Sequence, residues 1–251
     1  MIEAAPAPPP DLAPLSGRVV VITGAAGGLG SATARAVAQA GGLPILLGHR
    51  VPKLQRLYDQ IEAHGAAPAI YPLDMAGASP DDFAELASRI EANYGRLDGI
   101  CHCAASFQGL SGLEQTPPED FLRPLHVNLS AAWLLSQACL PLLRRSADSA
   151  LVFVIDDPAK TSRAYWGGYG IAVRGLEGLL EIAAAELENS TVRVSALRPG
   201  PMRTRLRGRA WFGEDAGQWP EPAAYAPAMV HLLSPDGIDQ RGRIWAPGPK
   251  Q

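Results

Sequence analysis

Apolar residues along this chain come in two rhythms. Short unbroken runs of β-branched and aliphatic residues lie at Val19 to Thr23, Leu43 to Gly48, Ala67 to Leu73, Leu97 to Cys103, Leu151 to Ile155 and Val192 to Leu197. Runs with no polar alternation are what parallel strands buried on both faces require. Between them the apolar positions return every three or four residues, the period of helices with one buried face. An alanine-rich helix closes the stretch Arg18 to Ala40, and Lys53 to His64 reads as a helix stopped by Gly65. Ser79, Asp81 and Asp82 offer the start of a helix that runs through Tyr94 to Gly95. A long helix is predicted from Pro118 to Arg144, bent at Pro124, and another from Trp166 to Glu188. A short helix and a last strand near Arg243 to Ala246 complete the series.

Strand and helix alternate without a break, which predicts an α/β chain: one doubly wound, Rossmann-like parallel sheet flanked by helices in a single domain. Two stretches stand outside the alternation. Met1 to Pro14, rich in proline and alanine, is predicted as a flexible tail, leaving 15–251 as the domain. Gly200 to Pro222 is a long connection carrying Arg203, Arg205, Arg207 and Arg209, predicted as a solvated lid over a binding site.

The first strand runs into a glycine-rich turn and then a helix. Gly24 can close a tight turn, Gly28 can let the backbone approach a phosphate, and Gly30 can let the helix pack close to the strand. Glycines also mark ordinary loops, but a position between a strand and a helix at the head of an alternating chain points to a nucleotide phosphate on the helix N-terminus.

The chain has 251 residues, 47% of them hydrophobic, enough for a full core, and a net charge of −3. That balance argues against general affinity for nucleic acid or acidic membranes. Three cysteines, Cys101, Cys103 and Cys139, make an odd number without zinc-type repeats, so no metal is expected and a reducing compartment, the cytoplasm, is. No apolar run is long enough to span a bilayer. His64, His126 and His231 read as surface or packing residues; Trp133, Trp166, Trp211 and Trp219 read as packing residues, with Trp166 and Trp211 placed to line a pocket.

With these motifs in order, the chain from about Leu15 to Pro247 resembles the short-chain dehydrogenase/reductase superfamily, in its single-domain branch. Thr23, Gly24, Gly28, Leu29 and Gly30 lie in its glycine turn, Asp74 matches the acid that contacts adenine, and Ala104 falls within Cys103-Ala104-Ala105, where the family has N-A-G. Asn128 matches the helix asparagine that holds a water, Tyr169 the catalytic tyrosine, and Pro199, Gly200 and Thr204 the segment beside the nicotinamide. The resemblance implies hydride transfer between a nicotinamide cofactor and a carbonyl or alcohol on a small molecule, by a homodimer or homotetramer.

Two catalytic positions depart from that pattern. The family lysine four residues after the tyrosine is Val173, and the family serine falls on Asp156. A tyrosine titrates near pH 10 unless a cation lowers it, and a neighbouring carboxylate raises it further. Arg174 cannot replace the lysine, because five residues along a helix turn about 500°, away from the tyrosine. Three rescues are open: Asp156 as a protonated hydrogen-bond donor, Lys160 or Arg163 as the missing charge, or Tyr165 swinging in. The alternative is a non-catalytic nucleotide-binding or scaffold protein on the same fold. Gly48-His49-Arg50 offers no acid for a ribose 2′-OH and one arginine, which favours NADP over NAD.

Overall fold

The apolar runs become seven strands, β1 (Val19–Thr23), β2 (Leu43–Gly48), β3 (Ala69–Pro72), β4 (Gly99–His102), β5 (Ser149–Val154), β6 (Val192–Leu197) and β7 (Ile244–Trp245). The computed structural model describes residues 14–65 and 67–247, so nearly all of the tail expected at 1–14 lies outside the described residues. All strand pairs are parallel, in the order β3-β2-β1-β4-β5-β6-β7. The order reverses at β1, which pairs with β2 on one side and β4 on the other. A crevice therefore opens beyond the carboxyl ends of β1 and β4, where open α/β sheets bind ligands.

Helices cover both faces: α1 (Gly28–Gln39), α2 (Val51–Glu62), α3 (Pro80–Tyr94), α4 (Pro118–Leu125), α5 (Ala131–Arg145), α6 (Pro158–Thr161), α7 (Gly167–Glu186), α8 (Arg205–Ala210) and α9 (Ala226–Leu233). The strand period of two sorts β1 between two cores. Val19 and Val21 pack with Leu86 of α3, Leu135 of α5 and Val173 of α7. Val20 and Ile22 pack with Val37 of α1, Leu57 of α2 and Met229 of α9. With both faces covered, an unbroken apolar run is the only sequence that fits.

Three differences from the sequence reading have local causes. The second helix begins at Val51, two residues before Lys53, because Pro52 sits in its first turn, where a missing N–H costs nothing. The helix expected from Pro118 to Arg144 is divided by a π-helical turn at His126–Ser130, just after Pro124. The 200–222 connection is folded, with α8 and 3₁₀ turns at Ala216–Gln218 and Pro222–Tyr225. Its arginines are also not simply solvated, as expected. Arg207 lies between the rings of Trp211 and Trp219, 4.5 and 4.4 Å from their centroids, and pairs with Glu214. Arg209 Nη1 donates to the Phe107 carbonyl at 2.8 Å, and Arg203 pairs with Glu221 at 3.1 Å. Arg203, Arg205 and Arg209 are nonetheless exposed, as expected of a solvated segment, and only Arg207 is partly buried.

At the other end of the sheet, charges are buried in pairs. Arg193 clasps Asp148 with Nε and Nη2, at 2.6 and 3.1 Å, and donates to the Leu232 and Ser234 carbonyls. Arg18 reaches Asp148 at 2.8 Å and donates to the carbonyl of Asp98. The fully buried Asp98 accepts from Val19 N–H and from two nitrogens of Arg96. Burial alone would raise the Asp148 carboxyl, but Arg193 and Arg18 hold it below the usual carboxylate range.

Candidate functional site

The glycine turn lies where the strand order reverses. Gly24 takes φ +62°, and a Cβ there would lie 2.7 Å from Ala104 Cα, so the ends of β1 and β4 meet only because this residue is glycine. Thr23 Oγ1 joins the same ends, accepting from Ala104 N–H at 3.0 Å and donating to the Cys101 carbonyl. Gly30 backs onto the Gly24 carbonyl, where a side chain would not fit.

Helix α1 then starts with no capping side chain and no acid in its first turn. By contrast α3 begins with a capping box between Ser79 and Asp82 and with Asp81 and Asp82 in its first turn. The start of α1 leaves backbone N–H groups, those of Gly28, Leu29 and Gly30 among them, without intrahelical partners, which suits a phosphate. The residues present thus fit a dinucleotide. Thr204 and Pro222 of the 200–222 segment close on this turn, their methyl and ring carbons 3.2 and 3.1 Å from where a Gly28 Cβ would stand.

Around it the other expected cofactor residues take their places. Arg50 is exposed just after β2, its Nε on His49, and Asp74 follows β3, half-exposed, accepting from Ala76 N–H. Thr204 caps α8 by accepting from Arg207 N–H, and Gly200 passes under Tyr225, whose hydroxyl donates to the Pro201 carbonyl. Pro199 stands just beyond the end of β6, partly buried.

The tyrosine half of the site stands on α7 and the strand end of β5. Tyr169 is buried, and its hydroxyl donates to Asp156 Oδ2 at 3.0 Å; Asp156 Oδ1 accepts from Asp157 N–H. Burial pushes the phenol well above its usual pKa, and the charge and the hydrogen bond of Asp156 push the same way. Val173, one turn further along α7, is in the core and offers no cation. The expected substitutes lie elsewhere. Lys160 is beside Asp157 at 3.6 Å, Arg163 donates to the Ala159 carbonyl, and Arg174 bonds Ser162 and Glu177. Tyr165 is largely exposed, with its backbone at φ 78°.

Asn128 is carried on the π-helical turn, and both ends of its amide are engaged. Its Oδ1 accepts from Ser106 N–H at 2.6 Å and its Nδ2 donates to the Ser106 carbonyl at 2.9 Å. It therefore clamps the chain leaving β4. That chain unites the two halves: Ala104 meets the glycine turn, Ser106 meets Asn128, and the Phe107 ring packs 5.1 Å from Tyr169 and 5.2 Å from Trp166. Trp211 packs against Trp166, its ring tilted by 56° at a centroid distance of 5.3 Å. Ser106 and Phe107 carry no signal in the sequence, since their partners lie far along the chain, whereas Trp166 and Trp211 stand out there as pocket residues and Arg209 as one of four lid arginines.

Cys101 and His102 end β4 and Cys103 follows it, and no cluster of three or more potential metal ligands occurs among the described residues. Cys101 and Cys139 are buried thiols, the latter pushed up to about 12 by burial. His102 is buried, and burial pushes it down to about 3. Ser136 Oγ already donates to the Ala132 carbonyl, so the imidazole Nε2–H must donate to Ser136 Oγ, leaving Nδ1 bare and unpartnered among the described residues. No helix among them is long and apolar enough to cross a membrane.

The sequence model of the short chain dehydrogenase family matches residues 18–214. The chain is 32% identical to the uncharacterized oxidoreductase YciK of Escherichia coli K12, over 94% of this chain and 93% of that one. Its fold is similar to that of a short chain dehydrogenase from Pseudomonas syringae, at 38% identity and a TM-score of 0.89 over 93% of this chain and 96% of that one. A short chain dehydrogenase from Escherichia coli CFT073, solved in complex with NADPH, is 32% identical with a TM-score of 0.89 over 95% of this chain and 99% of that one.

Proposed function

The chain belongs to the short chain dehydrogenase family of nicotinamide-dependent oxidoreductases, and on that premise we propose that it binds NADP(H) and exchanges hydride with a small carbonyl or alcohol compound, slowly near neutral pH. The observation that carries this reading is the stretch 104–107, which holds the uncapped start of α1 and the Tyr169–Asp156 pair in one crevice. Gly24, Gly28, Leu29 and Gly30 would receive the pyrophosphate, with Thr23 and Ala104 setting the turn. Asp74 would take the adenine and Arg50 the 2′-phosphate, and no acid after β2 competes for a ribose hydroxyl. Pro199, Gly200 and Thr204 would border the nicotinamide, which supplies or accepts the hydride. The NADPH-bound neighbour from Escherichia coli CFT073 supports this choice of nucleotide.

Tyr169 would pass the proton to or from the substrate oxygen, with Asp156 holding its hydrogen bond and Asn128 fixing the loop through Ser106. Donating that proton means withdrawing it from Asp156 and leaving a phenolate beside a carboxylate. Each unit by which the phenol is raised costs about 1.36 kcal/mol, about tenfold in the phenolate available, and slows proton exchange with it. A second reading, a nucleotide-binding protein without turnover, is favoured by Val173. Calorimetric titration with NADPH and NADH separates these, followed by NADPH oxidation against a carbonyl panel. We expect NADPH to bind more tightly, with the preference reduced about tenfold in Arg50→Ala, and weak turnover. Binding without any turnover would leave the second reading; binding of neither nucleotide would end both.

Leu122 on α4, Trp133 on α5 and Ile171 and Ile182 on α7 are exposed apolar side chains, which supports a homodimer or homotetramer formed through these helices. A monomer in sedimentation at micromolar concentration would refute it.

A further inference from the structure

A pocket opens beside Tyr169, roofed by Phe107 and Trp166 and rimmed by Tyr165, with Asp120 of α4 in its wall. Its volume is about 90 Å³, room for a compact head group. Four aromatic side chains, Phe107, Tyr165, Trp166 and Tyr169, line it, and Asp120 is its only charged lining residue; no lysine, arginine or histidine borders it among the described residues. The Asp120 side chain has no hydrogen bond or ion pair among the described residues. Arg123, one turn along α4, is exposed and makes no ion pair with Asp120 among the described residues, and the other cations near by are held by partners of their own. Arg209 is held on the Phe107 carbonyl, Lys160 lies beside Asp157, and Arg163 bonds the Ala159 carbonyl. Tyr165 reaches the rim at a cost, because φ 78° is strained for a non-glycine residue and its carbonyl is pinned by Ser111 N–H at 3.0 Å.

Aromatic faces attract a cation through their negative quadrupole, and a carboxylate among them adds direct charge. An uncharged substrate would gain from the rings alone and leave Asp120 without a partner. A carboxylate or phosphate substrate would meet Asp120 and, beyond Tyr169, Asp156. We infer that the pocket selects an alkylammonium group, so that the substrate is a small amino alcohol or amino ketone. This rests on the reading of Tyr169 as the group facing the substrate oxygen. It also accounts for Val173: the positive charge absent from α7 arrives with the substrate, close to the tyrosine and the aspartate that lack it.

The test uses choline as a probe of charge, and its uncharged isostere in which a tert-butyl group replaces the trimethylammonium. Binding is followed in the full chain by tryptophan fluorescence, with Trp166→Phe identifying the responding residue. Choline should bind about tenfold or more tightly than the isostere, and Asp120→Asn should remove most of that difference while leaving isostere binding unchanged. Equal affinities, a preference that survives Asp120→Asn, or no saturable response with Trp166 present would overturn the inference. NADPH titration of the same preparations reports separately on the dinucleotide reading, so loss of ammonium selectivity with NADPH binding intact counts against this inference alone.

Discussion

At the amino ends of its strands the sheet buries Arg18, Asp98 and Arg193 and half-buries Asp148, and each of these acids has a guanidinium on it. At and beyond the carboxyl ends, His102, Asp156 and, on α7 above them, Tyr169 are buried or half-buried, and no cation touches any of them. The first arrangement neutralises charge and fixes both partners. The second holds the Tyr169 phenol protonated and the His102 imidazole neutral, against easy proton exchange. Both sets sit at ends of the same sheet, so the difference does not come from the fold. It comes from which residues stand one turn or one strand away, and it separates what holds the chain together from what leaves it reactive toward a charged visitor.

Breaking the amino-end set should have the largest effect. Arg193→Met strands Asp148 on a single arginine and orphans the Leu232 and Ser234 carbonyls, and we expect a loss of about 3–5 kcal/mol in urea unfolding at pH 7. The next measurement sharpens the contrast through pH. His102 titrates near 6.5 when unfolded and about 3 when folded, so the stability it confers is complete above pH 6.5 and is lost as pH falls toward 3. The slope is up to about 1.4 kcal/mol per pH unit. Asp148, held low by its arginines, loses its share only below the ordinary carboxylate range. Unfolding between pH 6.5 and about 4.5 should therefore be nearly flat in His102→Phe and steep in the wild type. Since Ser136 keeps its bond to Ala132, the substitution strands no partner. Smaller still is the repair of the carboxyl-end set. Val173→Lys should lower the Tyr169 ionisation by about one unit or more in ultraviolet titration, with about a tenfold gain in NADPH-dependent carbonyl reduction. An unmoved phenol would mean that the new ammonium turns away from it.

The sequence carried these features unevenly. β6 runs from Val192 to Leu197 as read, because a fully buried strand has only one way to be written. Gly24 and Gly30 mark the turn because the backbone approaching them leaves glycine no substitute, and Gly28 faces the side chains of Thr204 and Pro222 closely. The π-helical turn had only Pro124 to signal it, and the extra residue it accommodates is a matter of backbone hydrogen bonding that no side chain encodes. Lys160 and Arg163 could not be assigned from the sequence, because the four-residue helix α6 decides where they point and is too short to leave a periodic trace. The roles of Arg207 and Arg209 depended on Trp219 and Phe107, and the second of these is 102 residues away.

Arg18 finds the carbonyl of Asp98 80 residues ahead of it and that of Asp148 130 residues ahead, and Arg193 completes the clasp later still. A chain made from its amino end has β1 and the glycine turn long before any acid exists to cover Arg18. Non-local closure of this kind is slow and waits for the distant partner. Amides of β1 should therefore stay open to hydrogen exchange in chains that end before Asp148 and become protected only once β5 and β6 are present. The arginine that leads the first strand is thus neutralised only by residues synthesised much later.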